Sequence, residues 1–197
     1  MARSMWEDGA LTTREQGLRD VARHPQKGHK ALRLLVWGAA AALLLLPWVA
    51  MQFTPEVNWT GSDFVVFGGM LLLACVSCEI ALRVSTGTCY LLAAGLAVLG
   101  VFLQVWANLA VGIIGNEGNP ANLMFLAIPV VGVVGALISK FKAAGMVLTL
   151  SAMAVTQCLI AIAAWVWVDA NILVMTVLFS LWWMTSAGLF SKASKRG

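Results

Sequence analysis

The sequence predicts an all-α membrane protein: a bundle of six transmembrane helices with short hairpin loops and both termini in the cytoplasm. The first observation behind this fold class is composition. Of the 197 residues, 60% are hydrophobic and 11% are charged, and the mean hydropathy is +0.86. Soluble domains carry about 25% charged residues, whereas a transmembrane helix needs about 20 consecutive, mostly apolar residues. Six such spans use most of the chain, so no separate soluble domain is expected.

The second observation is the placement of positive charge. If there are six spans, every Lys and Arg lies on one side: Arg3, Arg14, Arg19, Arg23, Lys27, Lys30, Arg33, Arg83, Lys140, Lys142, Lys192, Lys195 and Arg196. By the positive-inside rule this side is the cytoplasm. Because the basic residues flank apolar spans, the formal charge of +4 does not indicate a nucleic-acid partner. The predicted partner is anionic lipid headgroups at the cytoplasmic face.

Three parts follow along the chain. Residues 1–32 form a cytoplasmic arm, in which a capping-box pattern at Thr12 and Glu15 predicts a short interfacial helix between Thr13 and Arg23. Residues 33–191 form the transmembrane domain, and residues 192–197 form a basic cytoplasmic tail. The spans are predicted at about 34–51, 64–82, 89–115, 122–139, 143–168 and 172–190.

Local signals support each span in turn. The first is broken late by Pro47 and ends in the interfacial Trp48; the second ends before Arg83. The third is longer than a bilayer core of about 30 Å and is expected to tilt or project outward. The fourth opens at Pro120, and tryptophans close the fifth at the outer interface. Small residues on three spans predict close helix contacts: Gly68, Gly69, Gly132, Gly135, Ala136, Ala161 and Ala164.

Uncharged amides in the outer half are the first set of candidate functional residues. Gln104 and Asn108 lie one helical turn apart, and Gln157 in the fifth span is their natural complement across the bundle. The following loop and its exit add Asn116, Glu117, Asn119 and Asn122. Amides inside a span need a partner helix or an aqueous cavity. These residues either bond helices and cap a rigid hairpin, with Asn119 capping the fourth span, or line an outward-facing vestibule.

A second set lies near the cytoplasmic edge. Glu79 precedes Arg83 by four residues, a spacing that predicts an ion pair near the headgroups. Cys75 and Cys78 lie close by, and Cys89 opens the next span. Thiolates with a carboxylate are typical ligands of soft metals, so a metal or redox site is one interpretation; inert packing of cysteine is the other.

Catalytic constellations are missing from the sequence. Its only histidines are His24 and His29, both in the N-terminal arm, and it contains no P-loop, GxSxG or HExxH motif. The sequence therefore predicts no cofactor, no resident metal and no catalytic residue.

Three segments carry a resemblance to known proteins: Asn58-Trp59-Thr60-Gly61-Ser62-Asp63-Phe64, Trp106 to Gly115, and Asn119-Pro120-Ala121-Asn122-Leu123-Met124. Across them the chain, from about Asn58 to Phe190, resembles a group of small bacterial multi-pass inner-membrane proteins. The resemblance implies a bacterial inner membrane and supplies no activity to transfer.

Three functions remain open at this point. The first is a non-enzymatic accessory or assembly subunit that works through a membrane-protein partner or as a homo-oligomer. The second is a small transporter or channel whose vestibule uses the outer amides. The third is a membrane metal or redox protein that uses Cys75, Cys78 and Glu79.

Overall fold

A computed structural model describes residues 30–168 and 172–195. It confirms the predicted all-α class and the number of spans, since the described residues form helices and turns without a strand, and six helical segments are long and apolar enough to cross a membrane. The helices are α1 (Lys30–Ala50), α2 (Gly61–Val84), α3 (Thr88–Ala110), α4 (Ala127–Ile138), α5 (Ala143–Val168) and α6 (Leu173–Ser194). The fourth span, Pro120–Ile138, consists of a 3₁₀ helix at Pro120–Leu126 followed by α4. The helix predicted between Thr13 and Arg23 lies outside the described residues.

The chain divides into two compact units, Met1–Thr60 and Gly61–Gly197. In the first unit, α1 continues through Pro47 to Ala50, so the proline does not break it as the sequence predicted. Proline is tolerated in membrane helices when nearby groups satisfy the freed backbone. Here the chain turns after α1, where the backbone N–H of Met51 donates to Pro47 O at 3.0 Å.

In the second unit, α3, α4, α5 and α6 form a four-helix ring. Around this ring α3 neighbours α6, α6 neighbours α5, and α5 neighbours α4, while the 3₁₀ helix and α4 return to α3. Consequently α3 and α5 lie on opposite sides of the ring. Helix α2 packs on α3, where the Phe67 ring lies 5.9 Å from Phe102 and 4.6 Å from Trp106, measured between ring centroids.

The α3–α6 seam is held by side chains of α6 that bond the backbone of α3. Ser186 Oγ donates to Ala93 O, and Trp182 Nε1 donates to Leu96 O, both at 2.8 Å. Gly100 provides space for the indoles of Trp182 and Trp183, both of which a methyl group at this position would strike. The later residue of α6, Ser186, bonds the earlier residue of α3, Ala93, so the two helices are antiparallel. The two bonds fix the position of α6 along α3.

The α4–α5 contact uses two of the predicted small residues. Gly132 faces Met153 and Gly135 faces Thr149, each so closely that a Cβ would have to displace its neighbour. The predicted close approach is therefore confirmed for the fourth span. In the second span Gly69 has no atom of another element within 4 Å of where its Cβ would stand.

Two predicted boundaries are wrong. The third span was expected to reach residue 115, yet α3 ends at Ala110, since Gly112 (φ 77°) and Gly115 (φ 70°) adopt left-handed backbone. The helix has 23 residues and is not unusually long. The sixth helix extends beyond residue 190 to Ser194, which brings Lys192 into its last turn, where positive charge favours the helix dipole.

Candidate functional site

A pair of buried amides crosses the centre of the four-helix ring. Gln104 on α3 donates from Nε2 to Oε1 of Gln157 on α5 at 2.8 Å, and the two side chains are 1% and 0% exposed. The sequence identified these residues as complements, and the structure places them in direct contact. Their second amide atoms, Gln104 Oε1 and Gln157 Nε2, have no hydrogen-bond partner among the described residues.

Two further buried polar atoms without a partner in the described part of the chain belong to side chains that lie or pack one helical turn from Gln104 along α3. Asn108, one turn beyond Gln104, donates from Nδ2 to Asn122 O at 3.0 Å, and its Oδ1 is unpartnered. Trp183 of α6 is fully buried against Gly100, one turn before Gln104, and its Nε1 is also unpartnered. The ring interior therefore contains two spare acceptors and two spare donors.

Asn122 has the opposite character, because every hydrogen-bonding group of its amide is used. Its Oδ1 accepts from the backbone N–H of Ile113 at 3.0 Å and of Ile114 at 2.8 Å. Its Nδ2 donates to Ile114 O at 3.3 Å and to Asn116 O at 2.6 Å. One buried side chain thus holds the segment that follows α3 against the 3₁₀ helix.

The other loop residues complete a rigid cap. Asn116 Oδ1 accepts from Gly118 N at 3.1 Å, and Asn119 Oδ1 accepts from Ala121 N at 2.9 Å, which is the predicted cap. Gly112 lies so close to the Asn116 backbone that a Cβ could not be accommodated. Glu117 is exposed at the loop surface. The geometry is that of the hairpin cap, one of the two interpretations open from the sequence.

The predicted vestibule residues therefore separate into two groups. Asn108, Asn116, Asn119 and Asn122 hold the loop, while Gln104 and Gln157 meet below it in the ring. Ser151 and Thr156, which the sequence places beside Gln157, donate their hydroxyls to the carbonyls of Val147 and Ala152 on their own helix. They do not extend the buried amide pair.

The second candidate set contains an ion pair. Arg83 Nε lies 3.0 Å from Glu79 Oε1, and the arginine side chain is largely exposed, as expected for a pair at a helix end. Cys75 is buried, Cys78 is half-buried, and both are thiols, as are Cys89 and Cys158. Within residues 30–168 and 172–195 no three His, Cys, Asp or Glu side chains come together as a metal site would require.

The sequence did not identify a cleft at the end of the ring that carries Arg83 and Lys142. Its volume is about 560 Å³, and it lies between the α2–α3 turn, the α4–α5 turn and the end of α6. Tyr90 forms one wall: its hydroxyl donates to Phe141 O at 2.7 Å and its ring meets Phe190 edge-on at 5.1 Å. The chain has one tyrosine, and its position in the first turn of a predicted span was the sequence feature that could have indicated this cleft.

The turn beside the cleft is strained. Lys140 (φ 50°) and Phe141 (φ 58°) both adopt left-handed backbone, which non-glycine residues rarely do. Of the described residues that line the cleft, Lys142 is basic and none is acidic. The cleft is thus a polar, partly aromatic recess at the basic end. Comparison with protein-family models, curated proteins and solved structures finds no match to this chain.

Proposed function

We propose that this protein is a non-enzymatic accessory or assembly subunit that works by binding another protein within a bacterial inner membrane. Both termini lie in the cytoplasm in this proposal, with the basic residues against anionic lipid headgroups. The resemblance in the sequence and the one-sided distribution of Lys and Arg support that location. The six apolar helices make the chain an integral membrane protein.

The observation that carries the proposal is the use of the outer amides. A vestibule needs polar side chains with free hydrogen-bonding groups turned toward a solute. Instead, Asn122 makes four hydrogen bonds to the loop backbone, and Asn119 and Asn116 bond their own loop. These loop amides bond the protein's own backbone, as expected of a rigid scaffold. This supports a function that depends on contacts at the outer surface of the helices.

Helix α2 offers the surface best suited to a partner. It packs on α3 at the edge of the ring, and its opposite face is an exposed apolar stripe that includes Val65, Leu72, Leu73 and Val76. Gly69 lies within this stripe with open space above it. Small residues flanked by branched apolar ones allow two membrane helices to approach closely. We therefore assign partner contact to this face of α2.

Site-specific photocrosslinking in intact cells tests the assignment. A photoreactive amino acid replaces Leu73 on α2, and in a matched variant it replaces Leu181 on α6; the two leucines are 70% and 61% exposed. The expected result is a discrete adduct of higher mass from position 73, containing one defined membrane protein or a second copy of this chain. Position 181 should give lipid adducts alone.

Two outcomes contradict the proposal. Equal yields of the same adduct at both positions would mean non-specific proximity in the membrane. Adducts with lipid alone at both positions would mean that α2 faces the bilayer and has no protein partner. A crosslink within the chain leaves its mass unchanged and is therefore separated from either result.

A second candidate function is passage of a small uncharged polar solute through the ring. It is favoured by the unpartnered atoms of Gln104, Asn108, Gln157 and Trp183 in the interior. Its test is osmotic swelling of liposomes that contain the purified protein, in glycerol or urea. Transport predicts faster swelling than in protein-free liposomes and loss of that excess in an Asn108→Leu/Gln157→Leu variant. An excess that this variant retains, or no excess at all, contradicts transport.

A further inference from the structure

The unpartnered polar atoms of the ring follow one face of α3. Gly100, Gln104 and Asn108 are spaced four residues apart, so they lie on the same face over about 12 Å. Trp183 packs against Gly100, and Gln157 accepts a hydrogen bond from Gln104. Asn108 donates a hydrogen bond to Asn122 O. Gln104 and Gln157 come from opposite helices of the ring, so their amides meet at its centre.

This cluster is chemically complementary. Gln104 Oε1 and Asn108 Oδ1 are acceptors, whereas Gln157 Nε2 and Trp183 Nε1 are donors. All four side chains are more than nine-tenths buried. A buried polar group without a partner costs about 1–3 kcal/mol, and the interior of a membrane protein offers no bulk water to relieve this cost. Native structures usually satisfy such groups with a bound molecule, most often water.

The surroundings determine which molecule suits the site. The segments Thr88–Ala110 and Ala143–Val168 contain no charged residue, so α3 and α5 offer no counter-charge to an ion. A charged ligand would pay a large desolvation cost here. The ligand must instead be uncharged, small enough for a packed ring, and able both to donate and to accept a hydrogen bond.

We propose that α3, α5 and α6 enclose a binding site for water at the Gln104–Gln157 pair. The water accepts a hydrogen bond from Gln157 Nε2 and donates one to Gln104 Oε1, which closes a ring of hydrogen bonds around the direct bond between the amides. The other two unpartnered atoms, Asn108 Oδ1 and Trp183 Nε1, belong to a residue one turn along α3 and to a residue that packs on Gly100, one turn along α3 in the other direction. The site does not depend on the proposed partner, because all of its groups face the interior of this chain.

Water-edited solid-state NMR of the intact protein in liposomes tests this site. Protein labelled with [¹⁵N]glutamine reports both the side-chain amide and the backbone amide of Gln157, so the residue contains its own control at the same depth. The backbone N–H lies within α5 and is expected to contact no water. Loss of both signals in a Gln157→Leu variant identifies them. If that variant does not assemble, uniformly ¹³C,¹⁵N-labelled protein identifies the backbone amide through the carbonyl carbon of Thr156 and the side-chain amide through the side-chain carbons of Gln157.

The expected result is polarisation transfer from water to the Gln157 side-chain amide several-fold faster than to its backbone amide. Equally slow transfer to both would overturn the proposal, because the two amides would then be satisfied by protein groups in a dry interior. Loss of partner crosslinks in the α2 experiment leaves this result unchanged, so the two proposals fail independently.

Discussion

Asn122 and the Gln104–Gln157 pair are both buried amide sites, but they use their hydrogen-bonding capacity differently. The two amide atoms of Asn122 make four hydrogen bonds to the backbone of one loop. The glutamines share one bond between opposite helices and keep one acceptor and one donor in reserve. A buried polar group whose hydrogen bonds are all made fixes the local backbone, whereas one with unused donors or acceptors can still bind a further group. The loop amide is therefore saturated with hydrogen bonds, and the ring centre retains unused hydrogen-bonding capacity.

The largest expected effect is at Asn122. Asn122→Ala removes four hydrogen bonds and leaves the backbone of Ile113 and Ile114 without partners, so the free energy of unfolding should fall by about 4 kcal/mol, at about 1 kcal/mol per bond. Denaturation in mixed micelles measures this change. Leu123→Ala is the matched control, because Leu123 is the exposed neighbour and should change stability little. If both variants lose the same free energy of unfolding, the hydrogen bonds of Asn122 do not stabilise the loop as proposed.

The next effect is at Gly112. Gly112→Ala should lower the free energy of unfolding by about 2–3 kcal/mol, because the residue has φ 77° and a methyl group would strike the Asn116 backbone. Gly115→Ala is its matched variant: φ is 70°, but the nearest obstacle is the side-chain amide of Asn119. Backbone strain alone should cost about 1 kcal/mol there. If Gly112→Ala lowers the free energy of unfolding no more than Gly115→Ala does, the Asn116 backbone moves to admit the methyl group and does not hold the loop closely.

A smaller effect is expected at the ring centre. Gln157→Leu should lower the free energy of unfolding by about 1 kcal/mol, because it removes the acceptor of Gln104 Nε2 and leaves that buried donor unsatisfied. The double variant Gln104→Leu/Gln157→Leu should recover most of that loss, since two apolar groups then replace two polar ones. A double-mutant cycle measures the coupling. Additive losses would show that the two glutamines do not act as a pair.

The smallest effect is expected at Glu79. It pairs with a largely exposed Arg83 four residues later, and such pairs contribute about 0.3–0.5 kcal/mol. In a double-mutant cycle of Glu79→Gln and Arg83→Gln, the coupling free energy between the two residues should therefore be no more than about 0.5 kcal/mol. A coupling free energy above about 2 kcal/mol would mean that the pair is shielded from solvent and belongs with the buried polar sites.

Several features of the site could be predicted from the sequence because they depend on neighbouring residues. The spacing of Asn119 and Pro120 predicted the cap of the 3₁₀ helix, and the spacing of Glu79 and Arg83 predicted the ion pair. The end of α3 was predicted five residues too late. Val111, Ile113 and Ile114 are apolar, so the mean hydropathy stays high beyond the end of the helix. The left-handed glycines Gly112 and Gly115 end the helical backbone but barely change this mean.

The cleft beside Tyr90 could not be predicted in the same way. Its walls come from two turns and one helix end that are far apart in the chain, and the carbonyl that accepts from the Tyr90 hydroxyl lies 51 residues away. A hydropathy profile contains no information about such pairings. The same limit applies to Trp183, because its burial against Gly100 depends on the position of α3.

The six spans and the all-α class follow from the amino-acid sequence alone, because each span must satisfy the length and apolarity that a bilayer demands within one continuous segment. Which amides meet was decided by the packing of α3, α5 and α6. Helix register and rotation depend on contacts such as Trp182 with Leu96 and Gly135 with Thr149, and these join residues that are distant in the sequence or on separate helices. Through those contacts Asn122 became a fully bonded clamp, and Gln104 and Gln157 became a pair with hydrogen-bonding capacity to spare.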